Sequence, residues 1–253
     1  MHDASPSDPT LDYQDIFELR GRLYHQAMQK YPDARINEFQ SVLREASIAP
    51  GMTVVDVPSG GAYLSRYLHD AEIIGLETSQ TFAQLAEDKN RNVLLFDNNR
   101  FPLKDASIDR VLSIAGLHHV EDKCALFTEM RRILKPGGRI VVADVADDSV
   151  VRDFLDDFVG RYCETGHSGW YFGDDTRAEL RNAGLNIVSD KRLDYLWCAP
   201  DIEQLADFCR LLFGMVNADN ATVAEGIRDY LGVMETAGQT GLNWQLQCFT
   251  CSG

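Results

Sequence analysis

Long apolar runs are missing from this chain. No stretch approaches the roughly 18 residues needed to span a bilayer, which excludes a membrane-spanning helix. Positive charge is scarce as well. Lys and Arg number 24 against 39 Asp and Glu, for a net charge of −15. A surface of that sign repels phosphate backbones and argues against DNA or RNA as a partner. The six cysteines have no disulfide-framework spacing, which excludes a stapled secreted scaffold and fits a reducing compartment. Cys248 and Cys251 form C-x-x-C within "LNWQLQCFTC", a strand-like segment in which positions three apart face opposite sides. Both read as packing residues. No carboxylate or histidine set has metal-ligand spacing, so no metal is expected. The opening residues, "MHDASPSDPTLD", lack a basic n-region and an apolar h-region, and the expected location is cytoplasmic.

What is present is an ordinary globular composition, 253 residues with 45% hydrophobic and 25% charged, enough for one α/β domain. Helical spacing of Ile16, Leu19, Leu23 and Tyr24, then of Ile36, Phe39, Leu43 and Ala46, predicts a helical cap over about 11–47. From residue 52 short apolar strands alternate with helices. "TVVDV" (53–57), "EIIGLE" (72–77), "NVLLFD" (92–97), "SIDRVLSIAGL" (107–117) and "RIVVADV" (139–145) are the strands. Ser79 and Asp122 are placed to cap helices, and "KPGG" (135–138) to stop one. Such a pattern predicts a parallel sheet covered on both faces. Beyond residue 150 the regularity loosens. Helices are expected near 150–163, 175–183 and twice within 200–232, and strands at about 186–198 and 242–249. The segments about 150–180 and 200–232 are insertions able to roof a site.

Ligands of open α/β sheets sit at the carboxyl ends of the strands. The first such end, "DVPSGGA" (56–62), is a poor phosphate cradle, because Pro58 has no N–H and a fixed φ. Gly60 and Gly61 still permit a close backbone approach. Glu77, 21 residues after Asp56, stands where an acid accepts hydrogen bonds from a ribose diol, and Asp97 ends the third strand. A ligand with a ribose and no phosphate suits these residues better than NAD.

At this point residues of about 50–146 resemble the class I S-adenosylmethionine-dependent methyltransferases. "VVDVPSGGAYL" is similar to the family's first motif, D-x-G-x-G-x-G, keeping Asp56 and Gly60 but carrying Pro58 and Ala62 at the outer glycines. "IIGLETSQ", "LLFDNNRFPLKDASIDRV", "GLHHVED" and "EMRRILKPGGRIVVAD" follow in the family's order. The resemblance implies a Rossmann-like, seven-stranded, mostly parallel sheet of order 3-2-1-4-5-7-6 with the last strand antiparallel. It implies S-adenosylmethionine as cofactor, S-adenosylhomocysteine as product, and a single domain over 1–253. Asp56, Pro58, Ser59, Gly60, Glu77, Thr78, Asp97, Asn98 and Ile114 would hold the cofactor, with Glu77 on the ribose and Asp97 and Asn98 beside the adenine. The partner would be a small molecule, with a homodimer left open.

Methyl transfer from a sulfonium needs alignment of the acceptor and exclusion of water. A hydroxyl or protonated amine acceptor also needs a base, and histidine titrates in the right range. His118 and His119 follow the fourth strand, and relatives that methylate small molecules use a histidine at the His118 position. Asp144, ending the fifth strand, could orient one of the pair. His167, Trp170, Tyr171 and Phe172 form a candidate substrate wall. Tyr13, Arg20 and Tyr24 could close the pocket from the N-terminal helices, or simply pack. The expected activity is methylation of O, N or C of a metabolite. The alternative is an enzyme that binds the same cofactor for non-methylating chemistry such as an intramolecular cyclisation.

Overall fold

The computed structural model describes residues 11–87, 91–97, 100–236 and 238–253. Helices α1 (Tyr13–Lys30) and α2 (Ile36–Ala46) come first. The central unit follows with β1 (Thr53–Asp56), β2 (Glu72–Glu77), α3 (Gln80–Glu87), β3 (Val93–Leu95), β4 (Ile108–Ile114), α4 (Cys124–Ile133) and β5 (Leu134–Asp144). Helix α5 covers 150–162 with a π-helical middle, Phe154–Val159. Then come α6 (Asp174–Asn182), β6 (Asn186–Ala199), α7 (Ile202–Phe213), α8 (220–231), β7 (Val233–Thr236) and β8 (Gln239–Ser252).

The strand order is β3-β2-β1-β4-β5-β8-β6, with β7 paired to β8. Strands β1 to β5 pair in parallel, while β8 runs antiparallel to β5, β6 and β7. The expected path is therefore present, but the sheet has eight strands and not seven. The extra strand is β7, which folds back on β8 from Val233↔Leu242 to Thr236↔Gln239 around Gly238, whose φ is +81°. Only four residues long and mostly exposed, it carries no continuous apolar run to announce it.

Side-chain alternation along the strands divides the core in two. Val54, Val141, Trp244, Leu246 and Cys248 face α1, α2, α5, α7 and α8. Val55, Val142, Phe249 and Cys251 face α4 and α6. The two cysteines thus pack on opposite faces of β8, as their spacing requires, and both are free thiols. Ser79 caps α3, its Oγ accepting from Phe82 N at 3.2 Å. Asp122 accepts from Cys124 N at 2.9 Å where α4 begins. Among the described residues no helix is long and apolar enough to cross a membrane.

Helix α1 matters most for the site. It lies across the carboxyl ends of β1 and β2 and packs along α3 and α7. Asp12 caps it, accepting from Asp15 N at 2.9 Å. Its buried stripe, Tyr13, Ile16, Phe17, Arg20 and Met28, follows the i, i+3, i+4 spacing of an amphipathic helix, which aims Tyr13, Phe17 and Arg20 at the strand tips.

Candidate active site

Strand β1 ends at Asp56, and Gly60 (φ +53°) and Ala62 (φ +54°) turn the chain back over the sheet. The Glu77 carboxylate is fully buried and accepts four hydrogen bonds. Gly60 N (2.6 Å) and the Tyr13 hydroxyl (3.1 Å) reach Oε2, while Thr78 N (2.8 Å) and Ser79 N (2.9 Å) reach Oε1. Burial still pushes its carboxyl up to about 7 against those donors. Burial, and then the nearby Glu77, push Asp56 up to about 8. No Lys or Arg of the described residues forms an ion pair with either acid. Two buried acids short of positive charge favour a ligand that supplies a cation and hydrogen-bond donors. An amino acid ammonium, a sulfonium and a ribose diol meet that demand. A pyrophosphate would add negative charge to it.

Around these acids the space is divided. An open cleft of about 530 Å³ is lined by Tyr13, Pro58, Thr78, Phe96, Asp97, Leu117, His119 and Trp170, among others. A chamber of only about 40 Å³ lies deeper, bounded by Tyr13, Phe17, Asp56, Pro58, Ser59, Gly60 and Ile114. Of the residues singled out from the sequence, Thr78 and Asp97 line the cleft, Pro58 lines both spaces, and Asp56, Ser59, Gly60 and Ile114 line the chamber. Asn98 lies outside the described residues.

Beyond β4 a short turn, Leu117–His119, carries both histidines. Asp144, completely buried at the end of β5, holds that turn in place. Its Oδ2 accepts from Leu117 N (2.7 Å) and His118 N (3.1 Å), and its Oδ1 meets His118 Nδ1 at 2.6 Å. Burial opposes ionisation of Asp144, but the His118 ring and the backbone donors hold its carboxyl below the usual range. A carboxylate on Nδ1 fixes the Nδ1–H tautomer and leaves Nε2 as the basic atom. His119, its ring centroid 4.1 Å from that of His118, lines both the open cleft and a third space of about 40 Å³. Burial, then His118, His167 and Arg20, push its imidazole well below the usual range, so it is neutral.

The aromatic loop divides. His167 joins the site, with ring centroids 5.6 Å from His118 and 5.5 Å from His119. Its Nδ1 meets Asp156 Oδ1 at 3.2 Å, and burial first of all lowers it to about 4. Tyr171 stacks on His118 at 5.9 Å and donates its hydroxyl to Asp156. Trp170 is half exposed at the rim of the cleft. Phe172 is a correction. It points the other way, 1% exposed against Phe249 in the core under α4 and α6, because its backbone bridges Ala146 beside β5. It lines no part of the site.

Sequence reasoning kept His167 apart from the His118–His119 pair, and the fold brings all three together. One nitrogen of each lies within 4.8 Å of the others, a group close enough to be considered for a metal. Arg20 faces the same space. Also unforeseen are the roles of Trp197, Phe213 and Trp244, which come from elements distant in sequence to wall the third space. Only their burial-prone residue type could have flagged them.

The family model for a methyltransferase domain matches residues 55–142. Methyltransferase GfsG of Streptomyces halstedii is 32% identical over 167 residues, 59% of this chain and 58% of that protein. O-methyltransferase cnsE of Penicillium expansum is 27% identical, over 56% of this chain and 55% of that one. The chain spans between 39% and 58% of the length of the first curated relatives it matches. Among solved structures, a possible histamine N-methyltransferase from Thermotoga maritima aligns with a TM-score of 0.60 at 24% identity, covering 73% of this chain and 84% of that one. The 4+2 cyclase SpnF aligns at 0.61 with 16% identity, covering 96% and 98%. At these identities the solved structures speak for the fold alone. Over residues 55–142 the chain is thus similar to the methyltransferase domain family, and its motif order and two cation-seeking acids agree with that likeness, which supports S-adenosylmethionine as the cofactor.

Proposed function

We propose that the chain methylates a small-molecule metabolite in the cytoplasm, with His118 as general base, Asp144 as its positioning partner, and no metal. When bound, S-adenosylmethionine supplies an electrophilic methyl group on its sulfonium. Glu77 would take the ribose diol, Asp97 would border the adenine, and Asp56 would balance the positive charge of the tail. The observation that carries the reading is the 2.6 Å contact between His118 Nδ1 and Asp144 Oδ1. Asp144 leaves Nε2 of His118 free to take a proton from the acceptor and then stabilises the imidazolium. His119, neutral and lining both cleft and inner space, would border the path between cofactor and acceptor. Trp170 and Tyr171 would shape the outer wall. Transfer to an oxygen agrees with the printed names of two O-methyltransferase relatives.

The test is release of S-adenosylhomocysteine from S-adenosylmethionine in the presence of an acceptor panel. His118→Ala is expected to lower turnover by about 10²–10⁴-fold while sparing cofactor affinity, and unchanged turnover would remove the base. Pro58 in the first motif, where the family carries glycine, favours the second reading of a cofactor-binding enzyme that does not methylate. Conversion of a substrate with bound cofactor and no S-adenosylhomocysteine would select it.

A further inference from the structure

Two buried arginines line the third space, and only one is neutralised. Arg35 donates to Glu38 Oε1 and to the Tyr24 hydroxyl, and Glu38 in turn accepts from Tyr195 and Trp197. Arg20 is 7% exposed, yet among the described residues it has no carboxylate partner. Its Nη1 donates to the Phe213 carbonyl at 3.1 Å, and its Nε has no hydrogen-bond partner. A second donor in the same wall is also unsatisfied, the indole Nε1 of Trp244, whose side chain is 3% exposed. Both side chains line the space of about 40 Å³ together with Phe17, His119, Trp197 and Phe213.

The Arg20 guanidinium lies over the Phe17 ring at 4.9 Å and near Cys163, but a buried guanidinium without a carboxylate and an orphaned buried N–H are each still costly. Nothing in the packing of Trp197, Phe213 and Trp244, which stack on one another, explains keeping them. We infer that this chamber binds the carboxylate of the acceptor, taken by Arg20 Nε–H and the Trp244 indole N–H. Size agrees: a buried water needs about 10–15 Å³ in this measure, so the chamber holds about three water-sized groups, the bulk of a carboxylate. Charge agrees too. One guanidinium beside neutral His119 and His167 balances a monoanion and leaves a phosphate dianion in excess. The body of the acceptor then leaves the chamber past His118 and His119, which both line it, with its accepting atom beside His118 where the chamber meets the cleft that His119 also lines. The inference rests on the methyltransferase reading and names its substrate class as carboxylic acids with a compact acid end.

The experiment uses the full chain saturated with S-adenosylhomocysteine and follows tryptophan fluorescence and thermal midpoint. Benzoate, benzamide and phenyl phosphate are the probes. Benzoate is expected to bind at least tenfold more tightly than benzamide and than phenyl phosphate, and to raise the midpoint. Arg20→Met should abolish that preference with a midpoint equal to or above the parent, because a buried charge is removed. Trp244→Phe keeps the stack and should weaken benzoate about tenfold or more, the loss of one hydrogen bond to a charged group. Equal binding of benzoate and benzamide, tighter binding of phenyl phosphate, or an undiminished benzoate preference in both variants would overturn the inference. Titration with S-adenosylhomocysteine alone reports on the methyltransferase reading separately. A chain that binds it without preferring benzoate sinks only the carboxylate site.

Discussion

The two ends of the ligand-binding region are built on different terms. The end proposed for adenosine is an open cleft of about 530 Å³ framed by the loops after β1, β2 and β3, the start of α1, the turn after β4 and Trp170. The ends proposed for the tail and the acceptor are chambers of about 40 Å³ each, closed by Tyr13, Phe17 and Arg20 of α1 and by side chains from α7 and β8. One end is set by local motifs at strand tips. The other is assembled by helices laid across the sheet from both ends of the chain. Tyr13 links the two ends, because its hydroxyl occupies Glu77 Oε2, the oxygen a ribose would use.

The largest effect expected from breaking this comparison lies at the wall residue that turned out to face away. Phe172→Ala should cost about 3–5 kcal/mol of stability, since it empties a core position, and Trp170→Ala at the exposed rim should stay within about 0.5 kcal/mol. Denaturant unfolding of the two variants checks this, and equal losses would place Phe172 wrongly.

A smaller effect separates Glu77 from the lid. Glu77→Ala should weaken S-adenosylhomocysteine by about 1.5–3 kcal/mol for each hydrogen bond lost, whereas Tyr13→Phe should strengthen it by about 0.5–1.5 kcal/mol by freeing the carboxylate. Weaker binding by Tyr13→Phe would make the hydroxyl a cofactor contact instead of a competitor.

The last effect is electrostatic and is spread over several pH units. Asp56 binds its proton more tightly folded, at about 8, than unfolded, at about 3.9. Its contribution to stability is therefore complete below about pH 4 and lost as pH rises toward 8, with a slope of up to about 1.4 kcal/mol per pH unit. Asp56→Asn should flatten that slope in the ligand-free chain, as read from thermal midpoints at several pH values.

Much of the open end was legible in the sequence. Asp56, Glu77 and Asp97 end successive apolar strands, and strand tips are where an α/β sheet binds, so three residues could be placed from periodicity and one topological rule. The Asp144–His118 contact was half legible: Asp144 ends β5, His118 follows the end of β4, and parallel pairing of β4 with β5 sets the tips side by side. Trp244 and Arg20 were not legible. They meet across more than 200 residues of sequence, and an inward-facing arginine on an amphipathic helix has the same spacing as a solvated one. Phe172 misled for a related reason. In an irregular loop no period tells successive aromatics which way to point, and the Ala146 bridge that turns this one inward is a tertiary contact. Strand β7 was missed because it is too short and too exposed to leave a pattern.

The most direct measurement is calorimetric titration of the chain with S-adenosylhomocysteine near pH 7 in two buffers of different ionisation enthalpy, with NADH as the comparison ligand. The account predicts micromolar binding accompanied by proton release, as Asp56 and Glu77 ionise against the incoming ammonium, and no heat from NADH. No binding of S-adenosylhomocysteine, or binding of NADH in its place, would contradict it.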